Sequence, residues 1–333
     1  MGNLYPLLML PAFDPRPWGT HDLSPIYPHR KFEEKIGEAW LTGDDCQVAN
    51  GPLAGQTLGQ VSKKYQRELV GDAAPDARRF PLLLKFLFPH EKLSVQVHPD
   101  DEQARRLGQP WGKTECWYVA YAKPGAEIGL GSKSGVTVAQ LEQAIQEKRA
   151  EELLNWLNVY TGDMIYVAGG TVHTLGPGSV IVETQQQSDT TYRLYDYGRP
   201  RELHLKEGLA AVKLNVASGK VVRPAPAQIP GSKNWQAPLV SAPYFVVDMF
   251  EMKDRQRLHT RDNNGKSSAQ ILVALEGCGV VEATGADPVT VAKGDALVVP
   301  ASIGDFTVRP QWTLEILRAS VPGVPMLEPE TRL

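Results

Sequence analysis

Nothing in the 333-residue chain supplies a long apolar run, a block of one charge sign or a cysteine framework. No apolar stretch nears the roughly 20 residues of a membrane-spanning helix. Lys and Arg total 35 against 38 Asp and Glu, a net charge of −3 without long runs of either sign. That balance favours neither nucleic acid nor an anionic membrane as a partner. Cys46, Cys116 and Cys278 are odd in number, scattered and without metal-ligand spacing. They fit a reducing cytoplasm rather than a disulfide scaffold. Residues 4–12 are mostly apolar, but Pro6 and Pro11 interrupt them and no basic residue precedes them, unlike a secretory leader. The expectation is a soluble cytoplasmic protein, long enough for two domains or one double-sheet body.

Glycine (30) and proline (26) are abundant, and they punctuate many short β-branched or aromatic runs. Residues 82–88, 93–98, 115–121, 164–167, 180–183, 244–249, 269–275 and 296–299 read as strands, which predicts an all-β sandwich or barrel. Helical signals are fewer. Thr137 and Gln140 match a capping box ahead of Val138, Leu141 and Ile145. Residues 151–157, with Leu153, Leu154 and Leu157, read as a second helix, and 100–107 as a short one ending at Gly108. Between Ala217 and Pro238 the composition shifts to Pro, Ala, Ser and Gly, marking a linker between residues 1–216 and 239–333.

The two sides of that linker resemble each other. Gly162-Asp163 followed by Met164–Val167 lines up with Gly294-Asp295 followed by Ala296–Val299. Upstream, Trp117–Ala120 can be laid on Ile271–Ala274. This alignment puts Glu115 on Ala269 and His173 on Asp305, so the second unit reads as lacking the carboxylate and imidazole of the first.

Those polar residues suit a metal. In Ser94-Val95-Gln96-Val97-His98, strand alternation puts Gln96 and His98 on one face and the valines on the other. Glu115 and His173 add a carboxylate and an imidazole just past a turn. Two imidazoles, a carboxylate and an amide oxygen form a mixed N/O set for a divalent ion such as zinc. Lys113, two residues before Glu115, shares its side on an extended segment. Arg193 can hold a phosphate or an oxyanion through two parallel hydrogen bonds. Asp100 and Asp101 read as helix caps.

Residues 94–101, then Gly112-Lys113-Thr114-Glu115, then Gly170-Thr171-Val172-His173, then Ser188-Asp189 with Arg193, resemble the type I mannose-6-phosphate isomerases in their short bacterial form. Trp18-Gly19, Ile36–Trp40, Asn50-Gly51 with Gly55–Leu58, and Tyr192–Arg199 agree. The resemblance covers about residues 15–205 strongly and the remainder weakly.

It implies a mainly β fold of two cupin-type β-barrel (jelly-roll) units, the first with a small helical insertion at about 136–160. It implies one Zn2+ per chain, held at Gln96, His98, Glu115 and His173, and a catalytic Arg193, with Lys113 and Asp189 near the substrate. The reaction implied interconverts mannose 6-phosphate and fructose 6-phosphate through an enediol. Lys113 and Asp189 are the two candidates for its base. Ser94, Lys85 and Arg193 are candidates for phosphate contact. The partner expected is a small sugar phosphate, with the chain a monomer or weak homodimer. Competing readings are a non-catalytic sugar-phosphate-binding regulatory cupin and an iron cupin doing oxygen chemistry. Ala168 departs from the usual cupin proline, which Pro300 supplies in the second unit.

Overall fold

The structure, a computed structural model, describes residues 4–262 and 264–333. It is mainly β, in three sheets. An eight-stranded sheet runs Ala12–Thr20, Ile36–Trp40, Leu82–Leu87, Ser179–Gln186, Glu115–Ala122, Met164–Val167, Gly219–Val221, Thr331–Arg332. A five-stranded sheet runs Tyr192–Tyr195, Val95–Val97, His173–Leu175, Glu127–Ser132, Leu154–Asn158. Leu87, Trp117, Val119 and Ile165 of the first pack on Ile128, Leu130 and Leu175 of the second, so the two form a sandwich.

The other face of the eight-stranded sheet is also covered. Leu84, Phe86, Cys116, Tyr118 and Val182 share one core with Ile271, Val273, Val298 and Leu317 of a nine-stranded sheet, whose centre runs Ala296–Val299, Gln270–Ala283, Asp305–Ser320, Val246–Met252. Double burial explains why every residue of Leu82–Leu87 and Ser179–Gln186 is buried. It also corrects the expected barrels. The sheets remain open: the outer face of the eight-stranded sheet is apolar and buried against the nine-stranded sheet, and that of the five-stranded sheet packs on the helices Val138–Gln146 and Leu205–Ala211.

Three helices begin as their caps dictate. Asp100 and Gln103, Thr137 and Gln140, and Thr57 and Gln60 make reciprocal capping boxes before Asp101–Arg106, Val138–Gln146 and Leu58–Tyr65. The helix expected at 151–157 is not formed. Ala150–Leu153 is a single 3-10 turn, and Leu154–Asn158 is a strand on Glu127–Ser132. Leucines at 153, 154 and 157 fit either period in so short a run, and the free edge of Glu127–Ser132 selects the strand.

The segment read as a linker is folded chain. Gly219–Val221 pairs with Met164–Val167, and Ala227–Gln228 with Trp235–Ser241. The termini cross over as well. Leu7–Met9 pairs with Ala296–Val299, and Thr331–Arg332 with Gly219–Val221. Each half therefore lends a terminal strand to the other, a pairing that composition does not encode.

The aligned hairpins carry the same hydrogen bonds. The Val119 N–H donates to Asp163 O and the Gly162 N–H to Val119 O; the Ala274 N–H donates to Asp295 O and the Gly294 N–H to Ala274 O. Oδ2 of Asp163 accepts from the Tyr160 N–H, and Oδ2 of Asp295 from the Ala292 N–H. Val119 thus matches Ala274, and Glu115 matches Gln270 rather than Ala269. One residue of register reverses the face. Ala269 is in the shared core, whereas the buried Gln270 bonds the Ser268 carbonyl. His173 matches Asp305 as expected, each six residues after its strand.

Candidate active site and metal centre

The site draws on both sheets of the sandwich. Val95–Val97 is short, but it alternates as expected: Val95 and Val97 are buried in a core, while Gln96 faces the site. Antiparallel pairing sets His173 opposite Gln96. Glu115 opens a strand of the facing sheet, opposite Gln185.

Three ligand-bearing segments meet at the Asp100 backbone. A Cβ on Gly112 would stand 2.4 Å from Asp100 C, and one on Gly169 would stand 2.8 Å from Asp100 Cα. Both positions need glycine for space. Ala168 is also explained: its N–H donates to Ser218 Oγ at 3.0 Å, a bond that a proline could not make. Ser218 lies in the stretch read as linker, and it pins the turn that carries His173.

His98 and His173 are buried, and each donates Nδ1–H to a carbonyl at 2.9 Å, of Thr190 and Thr171 respectively. That fixes the tautomer and leaves Nε2 as a lone pair. Each Nε2 is 3.5 Å from one oxygen of Glu115. Both Glu115 oxygens are buried without a hydrogen-bond partner. The His98, Glu115 and His173 donor atoms all lie within 4.8 Å of one another. Donors sharing a tetrahedral cation at about 2.1 Å stand roughly 3.4 Å apart, so the set fits a divalent ion. Burial holds His98 well below the usual imidazole range and His173 down to about 4, while it pushes the Glu115 carboxyl up, reinforced by Glu183. Two neutral imidazoles and a buried carboxylate whose close cation is the single charge of Lys113 suit a divalent ion.

Two neighbours adjust to that reading. Gln96 turns its amide nitrogen to His173 Nε2 at 3.2 Å and accepts from Ser94 Oγ at 3.1 Å, so its oxygen reaches the cluster only after a half-turn of the amide. The Lys113 ammonium is 3.2 Å from both His98 Nε2 and Glu115 Oε2. A cation between those groups requires it to withdraw toward Glu183, 3.9 Å away.

Beside the cluster is a cavity of about 540 Å³ lined by Ser94, Gln96, Lys85, Lys113, Asp189 and Arg193, so the structure gathers these expected residues in one place. Lys85 is buried, with its ammonium 3.2 Å from Glu183, 3.6 Å from Glu38 and 4.0 Å from Asp189. Burial works against its charge, but Glu183 and then Glu38 raise its pKa above the usual lysine range. Arg193 donates Nη1–H to Glu202 O at 3.0 Å, and its Nε has no partner. Burial, then the neighbouring Arg201 guanidinium, lowers its pKa.

Glu183, Glu38, Arg16 and Arg201 also line the cavity, and the sequence reading gave them no role. Glu183 was findable, because a carboxylate among Val180, Ile181 and Val182 is a lone charge in a buried strand. It pairs across strands with both Lys85 and Trp117, whose Nε1–H donates to Glu183 Oε2 at 3.0 Å.

Among the described residues, the C-terminal half has no counterpart to this cluster. Its interior is filled by Phe250, Leu272, Leu297, Phe306 and Ile316, and Asp305 is an exposed partner of Arg257 at 2.7 Å. Among the described residues, no helix is long and apolar enough to cross a membrane.

Comparison with known proteins agrees with this geometry. The family model "Phosphomannose isomerase type I, catalytic domain" matches residues 26–112. A Bacillus subtilis (strain 168) protein named "Probable mannose-6-phosphate isomerase" is 34% identical over 316 residues, covering 92% of this chain and 96% of its own. A Streptococcus mutans mannose-6-phosphate isomerase is 33% identical over 309 residues, covering 90% and 93%. The crystal structure of the mannose 6-phosphate isomerase from Bacillus subtilis aligns with TM-score 0.83 at 31% identity, over 94% of this chain and 99% of that one.

Proposed function

The chain belongs to the type I phosphomannose isomerases and is an enzyme of that activity, and from this premise we propose that it interconverts mannose 6-phosphate and fructose 6-phosphate through an enediol, with zinc as its metal. The observation that carries the metal is the buried Glu115 carboxylate, 3.5 Å from two imidazole nitrogens of fixed tautomer and with the Lys113 ammonium 3.2 Å away. His98, Glu115, His173 and Gln96 would hold the ion. When bound, zinc polarises a carbonyl and orients sugar oxygens without redox change.

The remaining chemistry belongs to side chains. Isomerisation moves a proton between C1 and C2 while negative charge develops on oxygen. Arg193 supplies a cationic donor for that charge. The proton is taken by a group lining the same cavity: Lys113, Asp189 or Glu183. A phosphate dianion needs cations not already neutralised. Lys85 is surrounded by carboxylates and Arg201 is paired bidentately with Asp196, so we assign phosphate recognition to Arg193, whose Nε has no partner, with Ser94. We read the matched hairpins as two copies of one unit, the second serving as scaffold.

The test is a coupled assay for fructose 6-phosphate formed from mannose 6-phosphate, before and after chelation, with zinc restored. Turnover lost on chelation and regained with zinc is expected. No turnover in zinc-loaded protein would overturn the enzyme reading, and turnover surviving complete metal removal would overturn the metal role.

A further inference from the structure

We propose that Tyr244, from the C-terminal half, is a positioning residue for the site, acting through Asp101 and Gln186 on the backbone that aims Lys113 and Glu115. The inference rests on the isomerase reading above and assigns a role to residues that touch neither the metal ligands nor the cavity beside them.

The chain of contacts is continuous. Tyr244 Oη–H donates to Asp101 Oδ2 at 2.9 Å. The other oxygen, Asp101 Oδ1, accepts from the Gly112 N–H at 2.8 Å and from Gln186 Nε2–H at 3.0 Å. Gln186 Oε1 in turn accepts from the Thr114 N–H at 2.9 Å. The amide between them, Lys113 N–H, donates to Pro99 O at 2.8 Å. Three consecutive amides are thus pinned, two of them by side chains that meet at Asp101. Thr114 Oγ1 then accepts from the Gly169 N–H at 3.1 Å, which joins the segment to the turn before His173.

Asp101 was read from sequence as a helix cap, but Asp100 does the capping and Asp101 is free for this work. Its bonds are charge-assisted and fix both carboxylate oxygens, so the plane of the group is set only while Tyr244 holds Oδ2. Tyr244 is itself held: it follows Pro243 in the turn between Trp235–Ser241 and Val246–Met252, where the Ala242 N–H donates to Phe245 O at 3.0 Å, and Phe245 is in the shared core. The second half therefore supports the first at the backbone of the catalytic segment as well as through apolar contact.

The test uses Y244F, D101N and the double variant in the full-length protein, with circular dichroism to establish folding. Zinc affinity is measured by chelator competition, and kcat and KM by the coupled assay. D101N is expected to weaken zinc binding and kcat about 10- to 100-fold, as loss of an outer-sphere support does, and Y244F about 3- to 10-fold. KM should change less than about twofold, since the network touches the metal segment and not the phosphate side. The double variant should be no worse than D101N, because both act along one path. Effects that multiply in the double variant, or zinc affinity unchanged in both single variants, would overturn the proposal. The zinc cycle is readable without turnover, so an inactive wild-type protein would count against the isomerase reading and leave this inference to be judged on affinity.

Discussion

Gly112 packs so closely on Asp100 that a Cβ would stand 2.4 Å from its carbonyl carbon and 2.6 Å from the Asp101 nitrogen. Both opposing atoms are backbone, so neither can swing aside. G112A should destabilise the fold by about 1–3 kcal/mol, the usual cost of overpacking, and displace Lys113 and Glu115. Urea unfolding and zinc content measured together check this. A variant of normal stability and normal zinc content would show that the contact relaxes freely.

Burial alone would raise the Glu38 carboxyl, but Lys85 and then Arg16 hold it down to about 2. A depressed folded-state pKa stabilises above the unfolded value, near 4.5, and that stabilisation is lost as pH falls from there toward 2. Its size is on the order of 3 kcal/mol. Urea unfolding of wild type and E38Q at pH 7, 5 and 3.5 should show a gap that is constant above about pH 5 and narrows below it. A gap independent of pH would remove Glu38 from the acid response.

R193A should lower kcat by about 10²- to 10³-fold, the scale of losing one donor to a developing oxyanion. Zinc content should remain that of wild type, because the guanidinium bonds Glu202 O rather than a metal ligand. R193K keeps the charge but not the planar fork, and should recover only part of the loss. Near-normal kcat in R193A would reassign the residue to structure.

Asp305 occupies the place of His173 in the second hairpin, yet it is exposed and paired with Arg257 at 2.7 Å. A surface pair contributes about 0–1 kcal/mol. D305A should therefore leave activity and zinc content unchanged and stability nearly so, as thermal melting and metal analysis would show. Loss of zinc would mean that the second half holds metal.

The candidate ligands could be read from the chain because period-two alternation is local. Gln96 and His98 share a face whatever lies opposite, and Lys113 follows the same rule with Glu115. The capping box at Thr137 and the cap at Asp100 are local too, and both formed. The readings that failed depend on partners distant in sequence. The leucines at 153, 154 and 157 take the period of the edge they complete. The hairpin alignment was off by one residue because register is set by pairing, and that slip replaced Gln270 with Ala269.

By itself the sequence determined which groups could bind a metal, where the capped helices begin and which family the chain resembles, since each depends on short spacing or ordered motifs. Only the tertiary structure decided that Lys85 is neutralised by Glu38 and Glu183, that the sheets stay open, that the termini cross between halves, and that Tyr244 reaches Asp101. Those outcomes depend on which strands become neighbours, and neighbours are selected by burying both faces of a central sheet at once.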